Sequence, residues 1–322
     1  MISIPDRPAI RDRAAPVGGG NPSAGVAVPA GEGRIGALHL GVTGAMLAAA
    51  AAGINFESGA AVMLSCAAIL LLGLPHGALD LVALLRAPSS VRAISTYLAL
   101  AGAMAALWWL VPGAALLLFF AVAIGHFGED WPGPALIAHG GALALLAAPL
   151  LFHRAAIDAL FAVIAGPGAI PPLANALVLV APVAIAAGLT GCALLWNAER
   201  RMLAASSAAA LAGMVLLPPL AGCALAFGLF LSPRQFARGL AELGETRAWR
   251  GPVVVASAAS LLLVAAIALI GTPAFPPGAF PEATLSAGIL RGTFVVLSVL
   301  TVPHMMMPLV LRIAGHGKAA KN

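Results

Sequence analysis

The chain is 322 residues long, 61% apolar, 9% charged and 6% aromatic, with a formal net charge of +5. Soluble domains carry about 25% charged residues, so this composition cannot clothe a globular surface in polar groups, and lipid must be the solvent for most of it. Secreted, fibrous and nucleic-acid-binding classes fall with that: the 17 Lys and Arg stand mostly singly at the ends of apolar runs, where they set membrane orientation.

In chain order, residues 1–33 hold Pro, Gly, Asp and Arg in runs such as PDRPAIRDR and PVGGGNPSAG, with no apolar period, and are expected to form a disordered cytoplasmic tail. No signal-peptide pattern is present, because the first apolar run begins after Arg34. Ten apolar segments follow, at 35–53, 60–86, 92–111, 113–128, 135–152, 173–195, 202–217, 219–233, 252–271 and 285–312. The fold class is therefore all-α: a polytopic transmembrane bundle of about ten spans over 34–315, ending in a short basic tail at 316–322. The fourth and eighth segments are short and need a bundle environment or local thinning to span, and Pro218-Pro219 marks a tight outer turn or a broken helix.

Charge placement orients the bundle. With the tail inside, inner connections collect Arg86 and Arg92, Arg200 and Arg201, Arg234, Arg238, Arg247 and Arg250, then Arg312, Lys318 and Lys321, whereas outer ones hold Arg154 and Arg291. Both termini are thus expected to be cytoplasmic, in a multi-pass protein of the inner (plasma) membrane. The weakest link is the inner connection from Gly128 to Pro134, which has Glu129 and Asp130 but no base. Cys66, Cys192 and Cys223 lie singly inside apolar stretches, which suggests small core residues and neither disulfides nor a thiolate site.

An ionisable side chain inside hydrocarbon costs several kcal/mol unless paired or ligated, so those found there are functional candidates. His76, His126 and His304, with His39 and His139, all fall in the cytoplasmic half of the expected bundle. Neutral imidazoles converging at one depth suit a buried metal; alternatively each bonds a backbone carbonyl or neighbour at a helix interface. Asp80 stands four residues after His76 on the same helical face, placed to accept the imidazole's other N–H. Glu129 and Asp130 stand three and four positions after His126, as partners or as a solvated loop. Pro75 and Pro303, each just before a histidine, remove a backbone donor and kink the helix, and Met305 to Met307 offer flexible thioethers for an apolar ligand or simply for packing.

The run Gly73-Leu-Pro-His-Gly-Ala-Leu-Asp80, then Gly125-His-Phe-Gly-Glu-Asp130, then Val302-Pro-His-Met305, resembles the Brp/Blh family of bacterial and archaeal membrane β-carotene 15,15'-dioxygenases, over roughly Leu70 to Arg312. The resemblance implies O2-dependent cleavage of β-carotene to retinal at an Fe(2+) held by histidines, and carries an iron-ligand role to His76 and His126. His304 is the candidate third ligand, and Asp80 the catalytic candidate that orients His76. The family's later His-Ser-x-Arg-His stretch corresponds here to Leu231-Ser-Pro-Arg-Gln235, so Leu231 and Gln235 stand where two further ligands are expected, and Pro233 is expected to disrupt the helix presenting them. Three functions remain open on this basis: a three-histidine carotenoid dioxygenase, completed by His304 and possibly His39 or His139; a carotenoid- or retinal-binding protein without catalysis; and a transporter whose His and Asp shuttle protons. Expected partners are β-carotene or a related carotenoid, O2 and the lipid bilayer, and no nucleic acid. Phe119, Phe120, Phe127, Trp131, Phe227 and Phe230 are candidates to line a polyene channel, or to pack or face lipid.

Overall fold

A computed structural model describes residues 32–131, 133–167, 170–243, 249–270 and 285–316. The expected tail at 1–33 lies outside the described residues, apart from 32 and 33, which already belong to the first helix, and so does the basic tail beyond 316. All regular structure among the described residues is helical. The elements are α1 (Glu32–Ala51), α2 (Gly59–Arg86), α3 (Ser90–Leu110), α4 (Pro112–Gly128), α5 (Ala135–Phe152), α6 (Arg154–Ala165) and α7 (Ile170–Asn197). They continue with α8 (Arg201–Leu216), α9 (Pro219–Leu225), a π-helical stretch (Ala226–Leu231), α10 (Ser232–Leu243), α11 (Arg250–Ile270), α12 (Leu285–Met305), α13 (Met307–Leu311) and a terminal π-helical stretch (Arg312–His316).

Eight of these helices, counting Pro219–Ala241 as one, are long and apolar enough to cross a membrane, and α4 and α8 are shorter apolar helices. Together they account for the ten expected segments. Their exteriors carry hydrocarbon: Trp109 is 81% exposed and Leu179 80%, while the interior holds Ile69, Leu116, Leu150, Ile164 and Val296 at 2% or less. Such an outer surface is stable only against lipid tails. The helix that hydropathy missed is α6, only 12 residues long, which buries Ile157, Phe161, Ile164 and Ala165 along one stripe.

Local chemistry sets the ends. The Ser58 hydroxyl accepts from the Ala61 amide at the start of α2, where Arg86 occupies the last turn. Pro112 opens α4, where its missing N–H costs nothing. Close helix contacts use small residues: a Cβ at Gly288 or Gly292 of α12 would press on the Ala268 and Val264 carbonyls of α11, and one at Gly222 of α9 would press on the Gly213 carbonyl of α8.

Polar contacts sort the connections into two ends. At one, Arg86 Nη1 donates to the Leu243 carbonyl (2.8 Å) and Arg238 pairs with Asp130 (2.8 Å). At the other, Arg154 bridges Asp158 (2.8 Å) and Asn175 (3.0 Å), and His153 Nε2 donates to the Val215 carbonyl (2.8 Å). The connection that lacked a base receives its bases from α10. The expectation for Pro233 is met only in part: the chain does not break but passes from α9 through the π-helical stretch into α10, so α-helical bonding gives way in the turn before Pro233 and the helix then continues to Leu243.

Candidate metal centre

Five helices, α2, α3, α4, α10 and α12, build the site, and α2 supplies its frame. Pro75 lies inside α2, has no N–H to offer the Leu71 carbonyl four residues back, and crowds the turn before it, which loosens that turn. Gly73, which has no side chain, lets the Phe227 ring of the π-helical stretch close on α2. That contact brings Ser232, the first residue of α10, onto the loosened turn, where its hydroxyl donates to the Leu72 carbonyl at 2.6 Å. The proton being committed there, Ser232 Oγ accepts from His76 Nδ1 at 2.9 Å. His76 is therefore held as the Nδ1–H tautomer, with Nε2 bearing the free lone pair.

His304 comes from the last turn of α12, just after Pro303. Its Nδ1 donates to both Asp80 oxygens at 2.9 Å, and Asp80 Oδ2 also accepts from the Tyr97 hydroxyl of α3 at 3.2 Å. Trp108 of α3 donates its indole N–H to the Ser298 hydroxyl of α12, which ties the same two helices at a second point. The expectation that Asp80 orients His76 is thereby corrected: Asp80 serves His304, and Ser232 serves His76.

His126 closes the group from the end of α4. The ring centroids lie 6.1 Å (His76–His126), 5.5 Å (His76–His304) and 5.0 Å (His126–His304) apart. One ring nitrogen from each of the three lies within 4.8 Å of the others; a single cation with bonds of about 2.1 Å holds its nitrogens about 3–3.5 Å apart, so binding one would draw the rings together by about an ångström or more. The residues fit such an ion on two counts. Two imidazoles have their Nδ1 protons committed elsewhere, and His126 Nε2 is buried with no hydrogen-bond partner.

The three rings line a cavity of about 330 Å³ with Asp80, Glu129, Gln235, Arg238 and Met305. Asp130 stands behind it, its side chain fully buried, paired with Arg238, accepting from Gln235 Nε2 (3.0 Å) and, at its backbone carbonyl, from Arg234 (3.3 Å). Burial pushes the Asp130 carboxyl above the usual carboxylate range, and the two guanidiniums and the amide oppose that shift. Asp80 also borders a second, apolar groove of about 310 Å³ between α2, α3, α11 and α12, lined by Leu74, Leu81, Tyr97, Leu263 and Leu300.

Other candidates lie elsewhere. His39 is buried against Phe230 (5.4 Å), and His139 Nδ1 donates to the Ala135 carbonyl (2.8 Å); neither belongs to the cluster. Phe227 and Phe127 touch it, their rings 5.9 Å from His76 and 5.5 Å from His126. Phe119 and Phe120 pack in the core with Phe161, and Trp131 packs with Phe230. Tyr97 went unread in the sequence, although the chain's single tyrosine within an apolar span was a signal for it. Ser232 was noted only as part of a motif.

A helical bundle apolar enough to cross a membrane repeatedly, with three imidazoles converging in its interior, defines a polytopic membrane protein with a candidate histidine metal centre. Residues 67–312 match the family described as beta-carotene 15,15'-dioxygenase, and the chain belongs to that family. It is similar to a beta-carotene 15,15'-dioxygenase from the uncultured marine bacterium 66A03, at 27% identity over 265 residues, 75% of this chain and 90% of that protein. No solved structure matches. His76, Asp80, Tyr97, His126, Ser232, Gln235 and His304 all fall inside the matched range, and His39 falls outside it.

Proposed function

We propose that the chain cleaves β-carotene, or a closely related carotenoid, with O2 at the central double bond to give retinal, at a ferrous ion held by His76, His126 and His304. The balance is simple: the C15=C15' bond breaks, each carbon takes one oxygen atom of the same O2, two aldehydes result, and no reductant is consumed. Bound iron would supply the activation of O2. The protein's own part is to present three imidazoles, two of them with fixed tautomers.

The observation that carries this reading is the meeting of the three histidines inside a chain of this family. The apolar groove beside Asp80 supports it, because a carotenoid dissolved in the hydrocarbon layer reaches such a groove sideways between helices without crossing water. We place the protein in the inner (plasma) membrane with both termini cytoplasmic, on the strength of the basic connections gathered near Asp130.

The test is expression in cells that accumulate β-carotene, with retinal assayed alongside the iron content of the purified protein. Retinal that disappears in His76→Ala and His126→Ala supports the enzyme. Bound pigment with neither iron nor retinal identifies a binding protein, and a pH-dependent flux in proteoliposomes that Asp80→Asn abolishes identifies a transporter.

Ser232→Ala gives a finer prediction. It removes the acceptor that fixes His76 and the donor that satisfies Leu72, so iron affinity is expected to fall about 10–100-fold. Ser232→Thr, which keeps the hydroxyl, is expected to retain most of it, and chelator competition on the two purified variants decides.

A further inference from the structure

The α2 helix divides two cavities. Its residues His76, Leu79, Asp80 and Ala83 line the cavity of the three histidines, whereas Leu74, Gly77, Ala78, Leu81 and Leu84, the neighbouring stripe at helical spacing, line the apolar groove. Asp80 alone borders both, so the groove runs up to the carboxylate that holds His304. Leu98 of α3 and Leu263 of α11 also line it and are 62% and 46% exposed, which opens the groove onto the lipid-facing exterior. Its polar groups are already committed to one another. Ser260 donates to the Ala256 carbonyl at 2.9 Å, Tyr97 donates to Asp80 at 3.2 Å, and Asp80 accepts from His304 as well. A hydrocarbon therefore fills the groove without leaving a buried donor or acceptor unmatched.

Gly77, directly after His76, is the open point of this lining: a Cβ placed there meets nothing within 4 Å. Across the groove α11 presents the short side chains of Ala256 and Ala259. We infer that the groove is the subsite for one arm of the polyene, and that Gly77 is a substrate-binding residue whose missing side chain leaves room for the methyl-branched chain beside the metal centre. This rests on the dioxygenase reading above and deepens it. A double bond at the middle of the substrate gives it two equal arms. A groove that meets the site at Asp80 and opens to the hydrocarbon layer takes one of them without bringing it into water.

The experiment purifies the full-length protein anaerobically from cells that accumulate β-carotene, so that pigment is bound and not consumed, and reads pigment and metal retained per protein; retinal is assayed in aerated cells. Gly77→Leu, and from the opposite wall Ala259→Phe on a helix that supplies no histidine, are each expected to lower retained pigment at least about 10-fold with metal content unchanged. Leucine is a better helix former than glycine, so the first change does not weaken α2. Gly102→Leu is the control: it makes the same exchange at an exposed position of α3 where a Cβ also meets nothing, outside the groove, and should leave pigment and retinal unchanged. Wild-type levels of pigment and retinal in both groove variants, or a loss in only one of them, overturn the subsite and leave the dioxygenase standing. Wild-type protein with neither pigment nor retinal overturns both. Pigment lost in both groove variants and kept in the control, from a protein that forms no retinal, upholds the subsite and sinks the enzyme.

Discussion

Replacing His304 by alanine is expected to abolish iron retention and reduce retinal formation by at least about 100-fold, the largest effect of any single change outlined here. Three converging imidazoles would hold iron and leave positions open for O2, and removing His304 leaves only the two rings on α2 and α4. The same change strips the Asp80 carboxylate of its charge-assisted partner and leaves it only the Tyr97 hydroxyl. His139→Ala is the control, because that ring bonds only its own helix at the Ala135 carbonyl, and iron retention and retinal yield should be unchanged. Metal analysis of both variants, with a thermal melt in detergent to show that each is folded, checks the prediction.

Asp80→Asn should produce the second largest loss, about 10–100-fold in iron affinity and retinal yield. Both carboxylate oxygens accept from His304 Nδ1, and Oδ2 accepts from Tyr97 as well, so Asp80 faces donors only. An asparagine presents an NH2 to one of them, forcing either the imidazole or the phenol out of place. Tyr97→Phe separates the two contributions: it leaves the pair with His304 whole and should cost less than Asp80→Asn. Chelator competition on the three proteins ranks them.

What the sequence disclosed followed from the solvent it was built for. Hydrocarbon forces long apolar helices, and each of the ten segments has its helix; α6 escaped because a 12-residue amphipathic helix packed behind the others carries no hydropathy signal of its own. The three histidines were legible as ionisable groups at one depth. Their supports were not, because spacing reports only neighbours along one helix. Asp80 and His76 share a face of α2, yet Asp80 turns to a histidine 224 residues away, while His76 is already claimed by a hydroxyl 156 residues distant. Gln235 read as a missing ligand when only residue type was considered. Its anchor on Asp130 emerges only with α10 in place, a helix that Pro233 was expected to interrupt.

The Ser232 hydroxyl merges two tasks that are usually separate, mending the backbone where a proline interrupts it and choosing which imidazole nitrogen stays bare. Once the α2 segment has docked, the donor atom is already oriented, so no conformational search is left for an arriving cation to pay for. Correct assembly of the helices and readiness of the pocket thus become a single event, and a loosened apoprotein should lose both at the same temperature.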